Sequence, residues 1–256
     1  VAIVFPAIGY GETMRRVFVD EFRKLGGQVV AEMSYDRSKS NYAPIARKLA
    51  KTDAQAVFVP DSASKVAELA SFFANENIWG LEPDKKPPAR ADRMYVHYIG
   101  TSLWQDGMLI RQAADYVEAA AIPAWFSVAH DSDVVGVFVR RFQAVYGRRP
   151  DNFAAFTFDT VSWMRSLLLE QGMTRPVAIR DALISSNRFR GVTGQVLFEP
   201  TGQPRRTLRF VTPTKSGFES LPYEVSTESL EKRSDGTPPR KIERTDGDSD
   251  ASSPPQ

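Results

Sequence analysis

Proton transfer near neutral pH is most readily done by histidine, and this sequence holds only His97 and His130. It has no cysteine. Thiolate metal sites, multi-histidine metal sites, cysteine nucleophiles and disulfides therefore lie outside its chemistry. His130-Asp131-Ser132-Asp133 gathers an imidazole, a hydroxyl and two carboxylates, the composition of an acid–base site. The same run reads as the cap of a helix that starts near Asp133. No Gly-x-Ser-x-Gly nucleophile elbow occurs anywhere in the chain. Gly9-Tyr10-Gly11 follows an apolar run, and Glu32 comes roughly 20 residues later, as a dinucleotide fingerprint asks. Met14 stands where the third glycine belongs, and Pro6, Ala7 and Ile8 lengthen the turn, so the close approach that motif needs is lost. The sequence thus assigns no catalytic residue, no metal ligand and no cofactor; an oxidoreductase of dinucleotide-binding type is the alternative reading.

A second set of residues suits recognition without catalysis. Tyr10, Asp61, Ser62, Ser102 and Trp104 each follow a short apolar run. Two aromatics, two hydroxyls and a carboxylate fit a zwitterionic or sugar-like ligand, or a protein hot spot. Every member also has a plainer reading. Tyr10 can close a sheet edge, Asp61 or Ser62 can cap the helix that follows, and Trp104 can be buried instead of stacking on a ligand. Arg140, Arg141, Arg148 and Arg149 read as a solvated helix face.

These residues need a scaffold to bring them together. Val1 to Phe5 is a continuous apolar run, as in a strand buried on both faces. Met14, Val17, Phe18, Phe22 and Leu25 recur at helical spacing, and Gly26-Gly27 ends that helix. Val29 to Met33 reads as a second strand and Asn41 as the cap of a helix carrying Tyr42, Ile45, Leu49 and Ala50. Ala56 to Val59, a helix with Val66, Leu69, Ala70 and Phe73, and Tyr95 to Ile99 continue the alternation. This order predicts a parallel sheet with right-handed crossovers. Ligands of such sheets bind at the carboxyl ends of the strands, where the five recognition residues fall. Residues 76–93 read as a polar loop and Val117 to Ser127 as an extended crossover. Three helical patterns follow, then short strands at Gln195–Phe198 and Leu208–Val211. The first sheet already has its own helices, so these three need a second sheet that the chain does not encode. From Pro222 the composition turns polar and predicts a disordered tail.

Of the 256 residues, 42% are apolar and 25% charged, as in globular domains generally. Thirty-three basic and 31 acidic side chains leave a net charge of +2, which gives no electrostatic case for nucleic acid. No apolar run approaches the roughly 18 residues that span a bilayer. The opening at Val1 suits a chain that continues upstream, where an export signal would lie.

Several stretches, in this order, resemble the leucine/isoleucine/valine-binding branch of the type I periplasmic binding proteins. They are Val1 to Gly11; Leu25-Gly26-Gly27-Gln28-Val29-Val30; Ala54-Gln55-Ala56-Val57-Phe58-Val59; Phe142, Tyr146-Gly147 and Pro150; Phe158-Asp159-Thr160; and Phe189 to Gly194 followed by Val196, Phe198 and Gly202. The resemblance covers about residues 1–220 and departs at Phe158 and Glu199, where tyrosine and aspartate are common. It implies an α/β, periplasmic-binding-protein-like type I fold, with a parallel sheet, flanking helices and an incomplete first lobe. Residues 1–122 would be the second-lobe core. Residues 123–205 would be the crossover and the helices returning to the first lobe. Residues 206–221 would complete the second lobe, and 222–256 would be the tail. The implied protein is periplasmic or in the cell envelope, catalyses nothing, and binds a small polar, amino-acid-like ligand between its lobes. Its implied partner is the membrane component of an ABC transporter. Val57 to Ser64 and Gly100 to Trp104 resemble the penicillin-binding-protein activator subgroup, which would make the partner a peptidoglycan synthase.

Overall fold

The computed structural model describes residues 1–81, 92–128, 133–185 and 189–226. Strand β1 (Ala2–Pro6) is buried along its whole length and sits inside a parallel sheet of order β2-β1-β3-β5-β4. Its neighbours are β2 (Ala31–Tyr35) and β3 (Ala56–Phe58); β5 (Met94–Ile99) pairs with β3, and β4 (Ile78–Gly80) with β5. Successive strand side chains point to opposite faces. Ile3 and Phe5 meet Phe58, Val19, Phe18 and Met14 on one face, the last three from α1 (Gly9–Lys24). Ala2 and Val4 face the other way, towards α2 (Ala43–Leu49) and α3 (Ala63–Asn75), whose Leu49, Leu69 and Phe73 are fully buried. An apolar run needs helices on both sides, and the alternating order supplies them.

Three features of this body differ from the sequence expectation. Strand β2 lies two residues later than predicted, although the Val30 amide already bonds the Val1 carbonyl at 2.9 Å. Residues 76–93 are not simply a polar loop, because Ile78, Trp79 and Gly80 form β4. A three-residue strand gives too short a run for period-two reading. Helix α4 (Gly107–Ala113), capped by Asp106 at 2.7 Å to the Met108 amide, was not anticipated.

The sheet body continues past residue 120. Ala121 bridges Ile99 in parallel, and β6 (Ile122–Ala124) then pairs antiparallel with β9 (Pro204–Thr214). Strands β7 (Phe189–Gly191), β8 (Gly194–Phe198) and β10 (Gly217–Ser226) complete this second, antiparallel sheet. Ile122, Ala124 and Val211 belong to the same core as β1 and α3. Two corrections to the predicted boundaries follow. Strand β6 lies across the 122/123 boundary and packs with the core before it. Strand β10 runs to Ser226, past Pro222, because antiparallel pairing with β9 orders residues whose composition alone predicts a tail. Residues 227–256, His130-Asp131-Ser132 and residues 82–91 lie outside the described residues.

Helices α5 (Asp133–Tyr146), α6 (Asn152–Arg165) and α7 (Pro176–Ser185) form an arm. Its own small core joins Val135, Phe138 and Ala155 to Phe126 and Val192. The widely separated motifs Phe158-Asp159-Thr160 and Gly191 to Gly194 meet here. The Asp159 carboxylate is buried and accepts from the Val192 amide (2.8 Å), the Thr193 amide (2.9 Å) and the Thr193 hydroxyl (2.5 Å). A Cβ on Gly191 would sit 2.2 Å from that carboxylate, so glycine is required there. Elsewhere the arm is bare. Val134, Val145, Phe158 and Val161 are exposed, and no parallel sheet covers them among the described residues.

Candidate functional site

The carboxyl ends of β1, β2, β3 and β5 lie side by side, and their register fixes which residues share a level. Pro6 pairs with Tyr35, Ile3 with Phe58, and Phe58 with Ile99. The ladders end at Phe58 and Ile99, and Asp61 and Ser102 follow three residues later in the loops that leave β3 and β5 at this same end. Four strands at the usual spacing make an edge roughly 15 Å wide. The Ala7 amide bonds the Tyr35 carbonyl at 2.8 Å, which ties the loop after β1 to the end of β2.

Tyr10 sits in the first turn of α1 and is 41% exposed. Its position next to Gly11 has a packing cause. A Cβ on Gly11 would meet the Pro6 carbonyl at 2.2 Å, so glycine lets the helix start close against β1. Gly11 is thereby explained by helix–strand packing alone.

Asp61 is 3% exposed, and two hydrogen-bond donors and one ion-pair partner converge on it. The Tyr35 hydroxyl donates at 2.5 Å to Oδ2; the Ser62 amide at 2.6 Å and the Arg37 guanidinium at 3.2 Å reach Oδ1. Arg37 also donates to the Ser62 hydroxyl at 3.2 Å. Burial first, and then the hydrogen bond to Asp61, holds the Tyr35 phenol well above its ordinary range, so it remains a donor. Ser62 occupies the N-cap position of α3 without making a side-chain cap bond; its hydroxyl lies 3.2 Å from that of Ser64. The capping role open to Ser62 in the sequence is therefore not the one its hydroxyl takes.

Ser102 opens a single 3-10 turn, Ser102–Trp104, whose cap is the Thr101 hydroxyl accepting from the Leu103 amide. Ser102 is half-buried at the edge. Trp104 is 0% exposed, its indole N–H donates to the Val59 carbonyl at 3.0 Å, and its ring lies where a Cβ on Gly100 would be 2.5 Å away. Trp104 is thus a brace under the edge, with no face left to stack on a ligand.

The structure brings Tyr10, Asp61, Ser62 and Ser102 to one edge, puts Trp104 beneath it, and adds Tyr35 and Arg37, which sequence reasoning missed. Their signal was present but weak: Tyr35 ends a strand and Arg37 follows Asp36 in the next turn, at the edge where ligands of parallel sheets bind. Among the described residues no group of three or more His, Asp or Glu side chains forms a metal site.

No protein-family model matches the chain, and no curated protein sequence matches it. Solved structures do. A branched-chain amino acid ABC transporter periplasmic ligand-binding protein of Burkholderia xenovorans superposes with a TM-score of 0.74 at 14% identity, over 90% of this chain and 59% of that one. The branched-chain amino acid transporter substrate-binding protein LivJ of Streptococcus pneumoniae, solved with isoleucine, gives 0.64 at 18%, over 86% and 59%. An ABC-transporter solute-binding protein of R. palustris, solved with benzoate, gives 0.63 at 16%, over 86% and 57%. The chain has the type I periplasmic-binding-protein fold. It spans less than two thirds of the length of each of these solved chains, and the fold is incomplete in it to that extent.

Proposed function

We propose that this chain belongs to a non-catalytic, extracytoplasmic solute-binding protein that takes a small polar ligand at the carboxyl edge of its parallel sheet. The observation that carries the reading is the edge itself. Tyr10, Ser62, Ser102 and the Arg37–Asp61–Tyr35 cluster converge at strand ends on a fold shared with transporter binding proteins. Tyr10 offers a ring for an apolar ligand body. Ser62, Ser102 and Arg37 offer donors for its polar end. Asp61 holds the cluster in place, and Trp104 supports the loop that carries Ser102. Solutes in two of the solved relatives, isoleucine and benzoate, share a carboxylate and an apolar body. The partner consistent with this role is the membrane component of an ABC transporter.

Calorimetry of the intact protein against amino acids and small carboxylic acids tests the reading. One compound class should bind, and Tyr10→Ala and Ser102→Ala should each weaken it by about 1 kcal/mol, the net worth of a hydrogen bond or a partial ring contact. Tight binding left intact by both substitutions would remove the site from this edge.

A further inference from the structure

We infer that a groove at the seam between the sheet body and the arm binds a small organic dianion, at a site separate from the strand-end edge and independent of the reading given to that edge. The groove has a volume of about 420 Å³, within the range of small-molecule sites. Its walls come from Gln105 and α4, the crossover after β6, the start of α6 and the turn between β9 and β10. Tyr10, Asp61, Ser62 and Ser102 take no part in it. Two side-chain amides build one end. Gln105 Nε2 donates to the Phe126 carbonyl at 3.2 Å, which turns its Oε1 to Asn152, whose Nδ2 donates at 3.1 Å. Phe126 is anchored in the core of the arm, and Phe218 packs against the core of the sheet body, so the walls are held from both sides.

Arg111 and Arg149 line this groove, and among the described residues neither has an ion-pair partner. Arg111 folds back along its helix. A Cβ on Gly107 would stand 3.1 Å from its Nη1, so the glycine leaves room for the guanidinium. Among the described residues, Asp151 is the acidic side chain in the wall, and both of its oxygens are engaged. Oδ1 accepts from the Ala154 amide at 2.8 Å, and Oδ2 pairs with Arg148 at 3.2 Å. At the far end Lys215 pairs with Asp115 at 3.2 Å. Asp106, just before Gly107, caps α4 through the Met108 amide and makes no ion pair with Arg111. A guanidinium grips carboxylate or phosphate oxygens through paired N–H donors. One such group alone is a solvated surface charge. Two beside one cavity, with Ile110 and Phe218 as apolar walls, suit a body that carries two negative charges. A phosphate monoester and a dicarboxylate share that chemistry.

Calorimetry of the intact protein near neutral pH with phenyl phosphate and phthalate tests this. Benzoate serves as the monoanion and inorganic phosphate as the anion without an apolar body. At least one organic dianion should bind about tenfold or more tighter than both comparators, and the tighter of the two assigns phosphate or dicarboxylate. Arg111→Gln and Arg149→Gln should each weaken it roughly tenfold, the worth of one charge-assisted hydrogen bond. Both side chains are exposed, so neither substitution should move the melting temperature. Tyr10→Ala and Ser102→Ala should leave this affinity within about twofold. Absence of binding by both dianions, binding indifferent to both arginine substitutions, or binding lost in Tyr10→Ala and Ser102→Ala would each overturn the inference. The first two outcomes leave the strand-end reading standing, since amino acids and small carboxylic acids test that edge separately.

Discussion

Trp104 and Asp61 show how burial changes a residue's role. By type, an aromatic and a carboxylate on loops are ligand contacts. In place, each is consumed by the protein: the indole lies on Gly100 and bonds the Val59 carbonyl, and the carboxylate accepts two hydrogen bonds and pairs with Arg37. The consequence for Trp104 is a stability effect. Trp104→Ala should cost about 3–5 kcal/mol in chemical unfolding, as for other fully buried large side chains. Trp104→Phe keeps an aromatic ring and removes the indole donor, while the Val59 carbonyl still accepts from the Asp61 amide at 3.1 Å, so the cost should be about 1 kcal/mol. Ligand affinity per folded molecule should stay within about twofold for Trp104→Phe, since the ring has no exposed face. A large affinity loss with unchanged stability would make Trp104 a ligand contact after all. What the sequence could not reveal was partnership. Asp61 and Tyr35 are 26 residues apart, and nothing in their spacing says that a phenol would donate to one oxygen of the carboxylate.

At the scale of elements, long apolar patterns were legible and short or partner-dependent ones were not. Val1 to Phe5 and the helix bearing Val66, Leu69, Ala70 and Phe73 are where the pattern puts them, because burial on a fixed face leaves a clear period. Strand β4 has three residues and β10 has polar ones; both exist because a neighbour supplies hydrogen bonds, which no local pattern records. The helices of the arm carry the opposite lesson. Their apolar residues were readable, but only part of them is covered. Val135 and Phe138 are buried against Phe126 and Ala155, while Val134, Val145 and Phe158 are exposed. Apolar faces of this kind drive association. The 256-residue chain should self-associate and bind a hydrophobic dye, and the double substitution Val145→Asp and Phe158→Asp should reduce both. Sedimentation showing a monomer with no dye signal, at concentrations of tens of micromolar or more, would mean that these faces are covered in solution.

For the molecule as a whole, topology decides where recognition can occur. Parallel strands deliver their loops to one edge, and that edge was readable from the alternation of apolar runs and helices alone. The order of strands in the sheet, which sets Tyr35 and Arg37 beside Asp61, was not, since it depends on which crossovers skip a neighbour. No helix among the described residues is long and apolar enough to cross a membrane. The central claim is that a small solute binds at this edge, and amide hydrogen exchange of the intact protein with and without its best-binding acid or amino acid tests it most directly. Protection should appear in the segments 7–12, 35–39, 61–65 and 101–105, all at the carboxyl ends of the strands. Protection confined to the arm or to β9 and β10, with these four segments unchanged, would contradict the account.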